Sequence, residues 1–269
     1  MPATQSRSIQ HAALAALGVL CVLLHADPLP VSAHVNSLRL AALPLITLWA
    51  WERPEDLTAI DPRTTAVAWL DRTILLGPPS ASPNVIVEPR RQPLSVPHRT
   101  TLIGVVRIAA PPGLIPSQSQ RQQTLAVLAD SASQPGIAAF QVDFDATRSQ
   151  RPFYSELLKD LRTQMPPRLP LSITALASWC SYDDWIAALP IDEAVPMLFR
   201  MEPDRRRVPP DSPWFQIREP LCQNSLGLST REPWPAETRK TLNPSRRIYL
   251  FADRGWHADL PTLADRKLP

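Results

Sequence analysis

The chain has 269 residues, 44% hydrophobic and 20% charged, a globular composition that argues against wholesale disorder. The net charge of +3 is small and evenly spread, which argues against a nucleic-acid surface; the densest basic run, residues 205–207, lies between prolines and reads as a solvated loop. Proline is abundant and glycine scarce, 32 against 7, so long connections should be rigid without being helical.

Residues 1–33 read as a signal peptide with a short leader, and 34–269 as one domain. Arg7 is the sole charged side chain before Asp27, counting histidines as neutral, and an apolar run over 12–24 follows it. That run is too short to span a bilayer and fits the core of a secretory signal. Cleavage is expected after Ala26 or Ala33, with an uncleaved anchor as the alternative. Leu20 precedes Cys21 where a lipoprotein signal needs a small residue, which argues against lipidation. The mature protein is therefore expected in the periplasm or outside the cell. In that oxidising setting Cys180 and Cys222, the two cysteines beyond the leader, are predicted to form a disulfide. Beyond the leader there is no Cys-x-x-Cys, and His34, His98 and His257 are scattered, so no metal or other cofactor is expected.

In chain order, a first strand is predicted over 43–52, with Thr47, Trp49 and Trp51 on one side and Leu48, Ala50 and Glu52 on the other. A short helix should begin at Glu55. A second strand covers 65–76, and 85–98 is extended and bounded by prolines. The third, over 101–109, is apolar but interrupted by Arg107, which calls for an anion opposite it; Asp143 and Asp145 on the next strand are the natural partners. A helix follows over 118–132. The fourth strand, 137–145, sets Ala139, Gln141, Asp143 and Asp145 on one face and Phe140, Val142 and Phe144 on the other. An amphipathic helix over 152–162 comes next. A fifth strand is predicted over 169–180, a short helix over 183–189, a sixth strand over 194–201, a weak seventh over 225–229 and an eighth over 247–253.

Eight strands, several separated by helices and none joined by a two-residue hairpin turn, indicate a (β/α)8 TIM-type barrel, irregular or abridged after strands six and seven. The alternative, a doubly wound open sheet, lacks a glycine-rich phosphate turn after any strand. In a barrel, chemistry is placed at the C-terminal ends of the strands, which is where the polar row of the fourth strand grows acidic. The competing reading is that Asp145 caps the next turn and Asp143 pairs with a buried arginine.

The run Gln-Val-Asp-Phe-Asp-Ala-Thr (141–147), the helix carrying Arg151, Phe153 and Tyr154, and the stretches 171–180 and 192–201 resemble an uncharacterised bacterial family. It is catalogued as domain of unknown function 3142, and the resemblance extends over nearly all of the mature chain. A weaker resemblance is to chitinase-like family 18 glycoside hydrolases, whose fourth strand carries Asp-x-x-Asp-x-Asp-x-Glu with the glutamate as general acid. Laying Asp143 and Asp145 on the last two aspartates puts Thr147 at the glutamate. The resemblance thus implies a carbohydrate-active barrel in which either another strand supplies the acid or sugars are not cleaved by that mechanism.

Glycoside hydrolysis needs two carboxyl groups flanking the bond. Asp143 and Asp145 share one wall, so a partner across the mouth is sought: Asp253 first, then Glu202, with Glu52 also at a strand end. Trp49, Trp51, Trp179 and Trp256 fall near C-terminal strand ends, where indole faces stack on sugars. With Glu52, Arg107, Gln141 and Arg200 they form the expected substrate-binding set. If Arg107 binds mainly Asp143, Asp145 is pushed toward its protonated form and becomes the acid.

Two functions compete. One is an exported carbohydrate-active barrel acting as a glycoside hydrolase on an oligo- or polysaccharide. The other is a non-catalytic carbohydrate-binding or envelope-assembly module on the same fold, favoured by Thr147. A metal-dependent glycosyltransferase ranks last, because its nucleotide sugars are not met outside the cytoplasm. No nucleic-acid partner is expected, and no membrane insertion beyond an uncleaved signal anchor.

Overall fold

A computed structural model describes residues 39–78, 80–199, 216–234 and 246–263. The strands are β1 (Ile46–Ala50), β2 (Glu55–Asp56), β3 (Thr65–Leu76), β4 (Val85–Pro89), β5 (Leu94–Ser95), β6 (Thr101–Ala109), β7 (Ile137–Asp143), β8 (Leu171–Leu176), β9 (Glu193–Met197), β10 (Ser225–Ser229) and β11 (Arg247–Phe251). The helices are α1 (Gln118–Ala132), α2 (Arg151–Gln164), α3 (Ala177–Ser181) and α4 (Trp256–Leu263). Eight strands pair in the order β1-β11-β10-β9-β8-β7-β6-β3, and β3 pairs back to β1. Every pairing around this ring is parallel, so it is a closed (β/α)8 barrel and the open-sheet alternative falls.

Strand alternation sorts the core into an inside and an outside. Phe140 and Val142 of β7 face outward and pack with Tyr154, Leu157, Leu158 and Leu161 of α2. Each such side chain contributes roughly 1.5 to 3 kcal/mol by leaving water. Inside the ring, small Ala66, Ala68 and Ala139 make room for Trp49 and Tyr249. Gly227 is needed for the same reason: a Cβ there would lie 3.1 Å from the Pro196 carbonyl oxygen and 3.2 Å from the Phe251 ring.

The lower interior is polar and largely hydrogen-bonded, the buried Thr47 hydroxyl being left without a partner among the described residues. Trp49 Nε1 donates to Gln141 Oε1 (2.8 Å), and Gln141 Nε2 donates to Ser172 Oγ (3.0 Å). The Tyr249 phenol, in the same interior, donates to Glu193 Oε2 at 2.8 Å. Burial and the Glu193 carboxylate push that phenol well above its ordinary pKa, so it stays a donor. Arg247 binds Glu193 Oε1 through both Nε and Nη2. At the N-terminal face, Asp192 takes Arg39 (2.8 Å), Arg162 (2.6 Å) and the Leu171 amide (2.7 Å). These acids therefore brace the end opposite the mouth.

Several local expectations are corrected. Glu55 does not open a helix; it begins β2, which pairs with β5, and its carboxylate binds Arg53 and the Trp256 amide. Residues 183–189 form turns closed by Ala187 N–H to Asp184 and Leu189 N–H to Ile186, never reaching helical bonding. The fifth strand stops at Leu176 and the chain continues as α3, while the sixth stops at Met197. The extended stretch after the second strand contains β4, antiparallel to the outer half of β3 and outside the ring. Its loop is held by Gln120 of α1, whose Nε2 donates to the carbonyls of Gly77 (2.9 Å) and Asn84 (3.0 Å). The predicted signal segment and the basic run at 205–207 lie outside the described residues.

Cys180 of α3 and Cys222 are joined in a disulfide, with Cα atoms 5.8 Å apart. Arg218 and Glu219 donate their amides to the Cys180 carbonyl, so the bridge sits within a bonded corner.

Candidate functional site

The C-terminal ends of β6, β7 and β8 place three polar side chains together. Arg107 and Asp143 are register partners on neighbouring strands, and Arg107 Nη1 donates to Asp143 Oδ2 at 3.1 Å. From the other side Thr174 of β8 donates to Asp143 Oδ1 at 2.6 Å. Both carboxylate oxygens of this buried aspartate are thus engaged. Full burial of both charges would make losing Arg107 cost roughly 3 to 5 kcal/mol. The Arg107 side chain is 36% exposed against 5% for Asp143, so water screens part of the pair. Arg107→Ala is therefore expected to destabilise by about 2 kcal/mol in urea unfolding, and a change below about 0.5 kcal/mol would mean that the pair contributes nothing.

Asp145, two residues beyond the strand, is exposed and makes no side-chain hydrogen bond to a described residue. Crowding by the protein raises its pKa, the Asp143 charge adds to the rise, and Arg107 opposes it. Phe144, between the two aspartates, points outward against Phe153 and Tyr154 and holds the alternation past the strand end. Thr147 is occupied in starting the next helix: its amide donates to Gln150 Oε1 at 2.9 Å and its hydroxyl lies 3.1 Å from that of Ser149. It takes the place of an acid in the weaker resemblance without supplying one.

An aromatic cluster lines the mouth beside these acids. The half-buried Trp51 ring lies under the Arg107 guanidinium, 5.6 Å from its carbon to the ring centroid. It contacts Trp49 (4.2 Å between centroids) and Phe251 (6.4 Å), and Phe199 packs on Phe251 at 4.8 Å. Trp51 and Phe199 keep partly open faces; Trp49 does not.

The other expected ligands divide. Trp49 and Gln141 are fully buried within the barrel and belong to its hydrogen-bonded interior. Trp179 packs edge-on against Trp185 under the loop after β8, and Trp256 is buried outside the ring with its indole bonded to the Trp49 carbonyl. None of these three tryptophans offers a face to a ligand, because each one's apolar area is spent on the core. Glu52 is exposed, but its Oε1 accepts the amides of Arg91 (2.8 Å) and Gln92 (3.1 Å), so it ties a loop. Asp253 is exposed just past β11, and three strands separate β11 from β7 either way round the ring, so the two stand opposite. Arg200 and Glu202 lie outside the described residues. Thr174, Phe199 and Phe251 were missed as site residues; the inward alternation of β8 was the available signal for Thr174. Among the described residues no cluster of His, Cys, Asp or Glu could hold a metal, and no helix is long and apolar enough to cross a membrane.

A family model described as Domain of unknown function (DUF3142) matches residues 99–201. The match is narrower than the near-complete resemblance expected, yet it contains Arg107, Asp143, Asp145 and Thr174. No curated protein matches. Among solved structures, the chitinase domain of the spore coat protein CotE from Clostridium difficile is similar at 14% identity, with a TM-score of 0.38. The alignment covers 58% of this chain and 50% of that one, so the chain spans half of its neighbour's length.

Proposed function

We propose that this protein is an exported carbohydrate-active barrel, acting as a glycoside hydrolase on an oligo- or polysaccharide held at the C-terminal mouth. The observation that carries the reading is the pairing of two unlike carboxyl groups on one strand end. Asp143 is fixed by Arg107 and Thr174, while Asp145 is exposed and has a raised pKa. A carboxyl group shifted upward holds its proton to higher pH than an ordinary aspartate, and that proton is the one to be given to a leaving glycosidic oxygen as the C–O bond breaks. Asp253, just past the opposite strand β11, is the partner that takes a proton from the attacking water. A separation of about 6.5 to 9.5 Å between the two carboxyl groups would leave room for that water, as in an inverting enzyme. The half-open Trp51 ring supplies a stacking face. The disulfide and the apolar leader support export.

A second reading, a binding module without turnover, draws on Thr147, which caps a helix where the weaker resemblance would put the acid. Both readings share the sugar site, so binding is the first test. Titration with mixed neutral oligosaccharides should change the intrinsic tryptophan emission. Trp51→Ala should weaken binding by about 1 to 2 kcal/mol, or roughly tenfold. Unchanged affinity in Trp51→Ala would remove the mouth from sugar recognition. Release of reducing ends by the parent then separates hydrolase from binder.

A further inference from the structure

The chain between β3 and β6 is additional to the eight-strand ring, and it passes the mouth beside Trp51. After β4 it turns at Arg90, whose amide donates to the Asp71 carbonyl (2.7 Å) where β3 bulges. Among the described residues the Arg90 guanidinium donates its hydrogen bonds to backbone carbonyls, with the Glu52 and Glu55 charges acting on it from nearby. Nη1 donates to Trp51 O at 2.6 Å and to Ala50 O at 3.5 Å, Nη2 to Arg53 O at 2.8 Å, and Nε to Gln92 O at 2.9 Å. Beyond it, the Glu52 carboxylate binds the amides of Arg91 and Gln92, and β5 pairs with β2.

The arrangement answers a need of the strand. The carbonyls at and just past the end of β1 leave the ladder and must find donors or water; that of Trp51 accepts the Arg53 amide at 2.8 Å and the Arg90 guanidinium besides. A planar guanidinium reaches several such oxygens at once, whereas an ammonium is a single point charge without that fork. The carbonyl held most closely belongs to the residue whose ring lies under Arg107 and has a partly open face.

We infer that Arg90 is a positioning residue for the mouth: by clamping the Trp51 carbonyl from the added hairpin, it fixes the direction in which the Trp51 ring is presented. The consequence for a sugar rests on the proposed function, but the clamp itself does not. Its test is therefore run first without sugar. Acrylamide quenching is compared between each protein and the same protein carrying Trp51→Phe, which isolates the Trp51 signal. Arg90→Lys should raise quenching of that signal. Glu52→Gln, which keeps an acceptor oxygen for the two amides, should leave it unchanged. With oligosaccharide present, Arg90→Lys should weaken binding about tenfold, since a displaced ring loses its alignment. An unchanged Trp51 signal in Arg90→Lys overturns the inference, whether or not the melting temperature falls. A changed signal in a protein whose parent binds no sugar upholds the clamp and sinks the carbohydrate reading alone.

Discussion

Arg247→Ala should destabilise the barrel by about 3 to 5 kcal/mol, the cost of leaving a buried carboxylate without its counter-charge. Glu193 is fully buried at the start of β9 and its two oxygens are divided between Arg247 and Tyr249. Burial works against the Arg247 charge, but Glu193 and Tyr249 outweigh it and hold the guanidinium above its ordinary pKa. Removing the arginine strands the acid beside a phenol already pushed upward. Replacing the pair together, as Glu193→Gln with Arg247→Met, removes both charges and should recover much of the loss. Urea unfolding of the three proteins measures this. A single-variant loss below about 1 kcal/mol would show that water reaches the barrel floor.

The second large effect is covalent. Breaking the Cys180–Cys222 bridge, by reduction or by joint replacement with alanine, should lower stability by about 4 kcal/mol in the chain-entropy model for a separation of 42 residues. The bridge closes the chain from α3 across β9 to the corner before β10, the stretch where the hydrogen-bonded ladder between β9 and β10 is shortest. Peptide mapping without reduction identifies the bridge, and thermal melts with and without reductant give its contribution. Two alkylatable thiols in the folded, oxidised protein would contradict it.

The acidic strand was legible because a period of two is strict: once Phe140 and Val142 face the helix layer, Gln141 and Asp143 must face the barrel axis. An expected export signal, and the two cysteines that lie beyond it, gave the disulfide by simple pairing. The aromatic ligands were not legible, because a tryptophan at a strand end plugs the core or faces a ligand according to depth, and alternation carries no depth. Trp49 and Trp51 share a face, yet only Trp51, two residues nearer the mouth, retains exposure. Glu52 failed for a related reason: its partners are amides of the added hairpin, 39 and 40 residues away. Glu55 looked like a helix start, but long-range pairing of β2 with β5 overrode the local signal.

The central claim, that Asp145 is the proton-bearing group of a sugar site, is tested most directly by Asp145→Asn measured across pH. The raised pKa fixes the sign for stability. The folded state holds this proton more tightly than the unfolded chain, so the contribution is fully present below the unfolded pKa. It is lost as pH rises through the folded value. At neutral pH, Asp145→Asn should therefore melt no lower than the parent, while oligosaccharide turnover disappears. The parent's turnover should fall as pH rises through that same raised value, and the asparagine variant should show no such limb. A variant that keeps the parent's turnover and its pH profile would contradict the assignment and leave the Asp143–Arg107 pair as a structural brace.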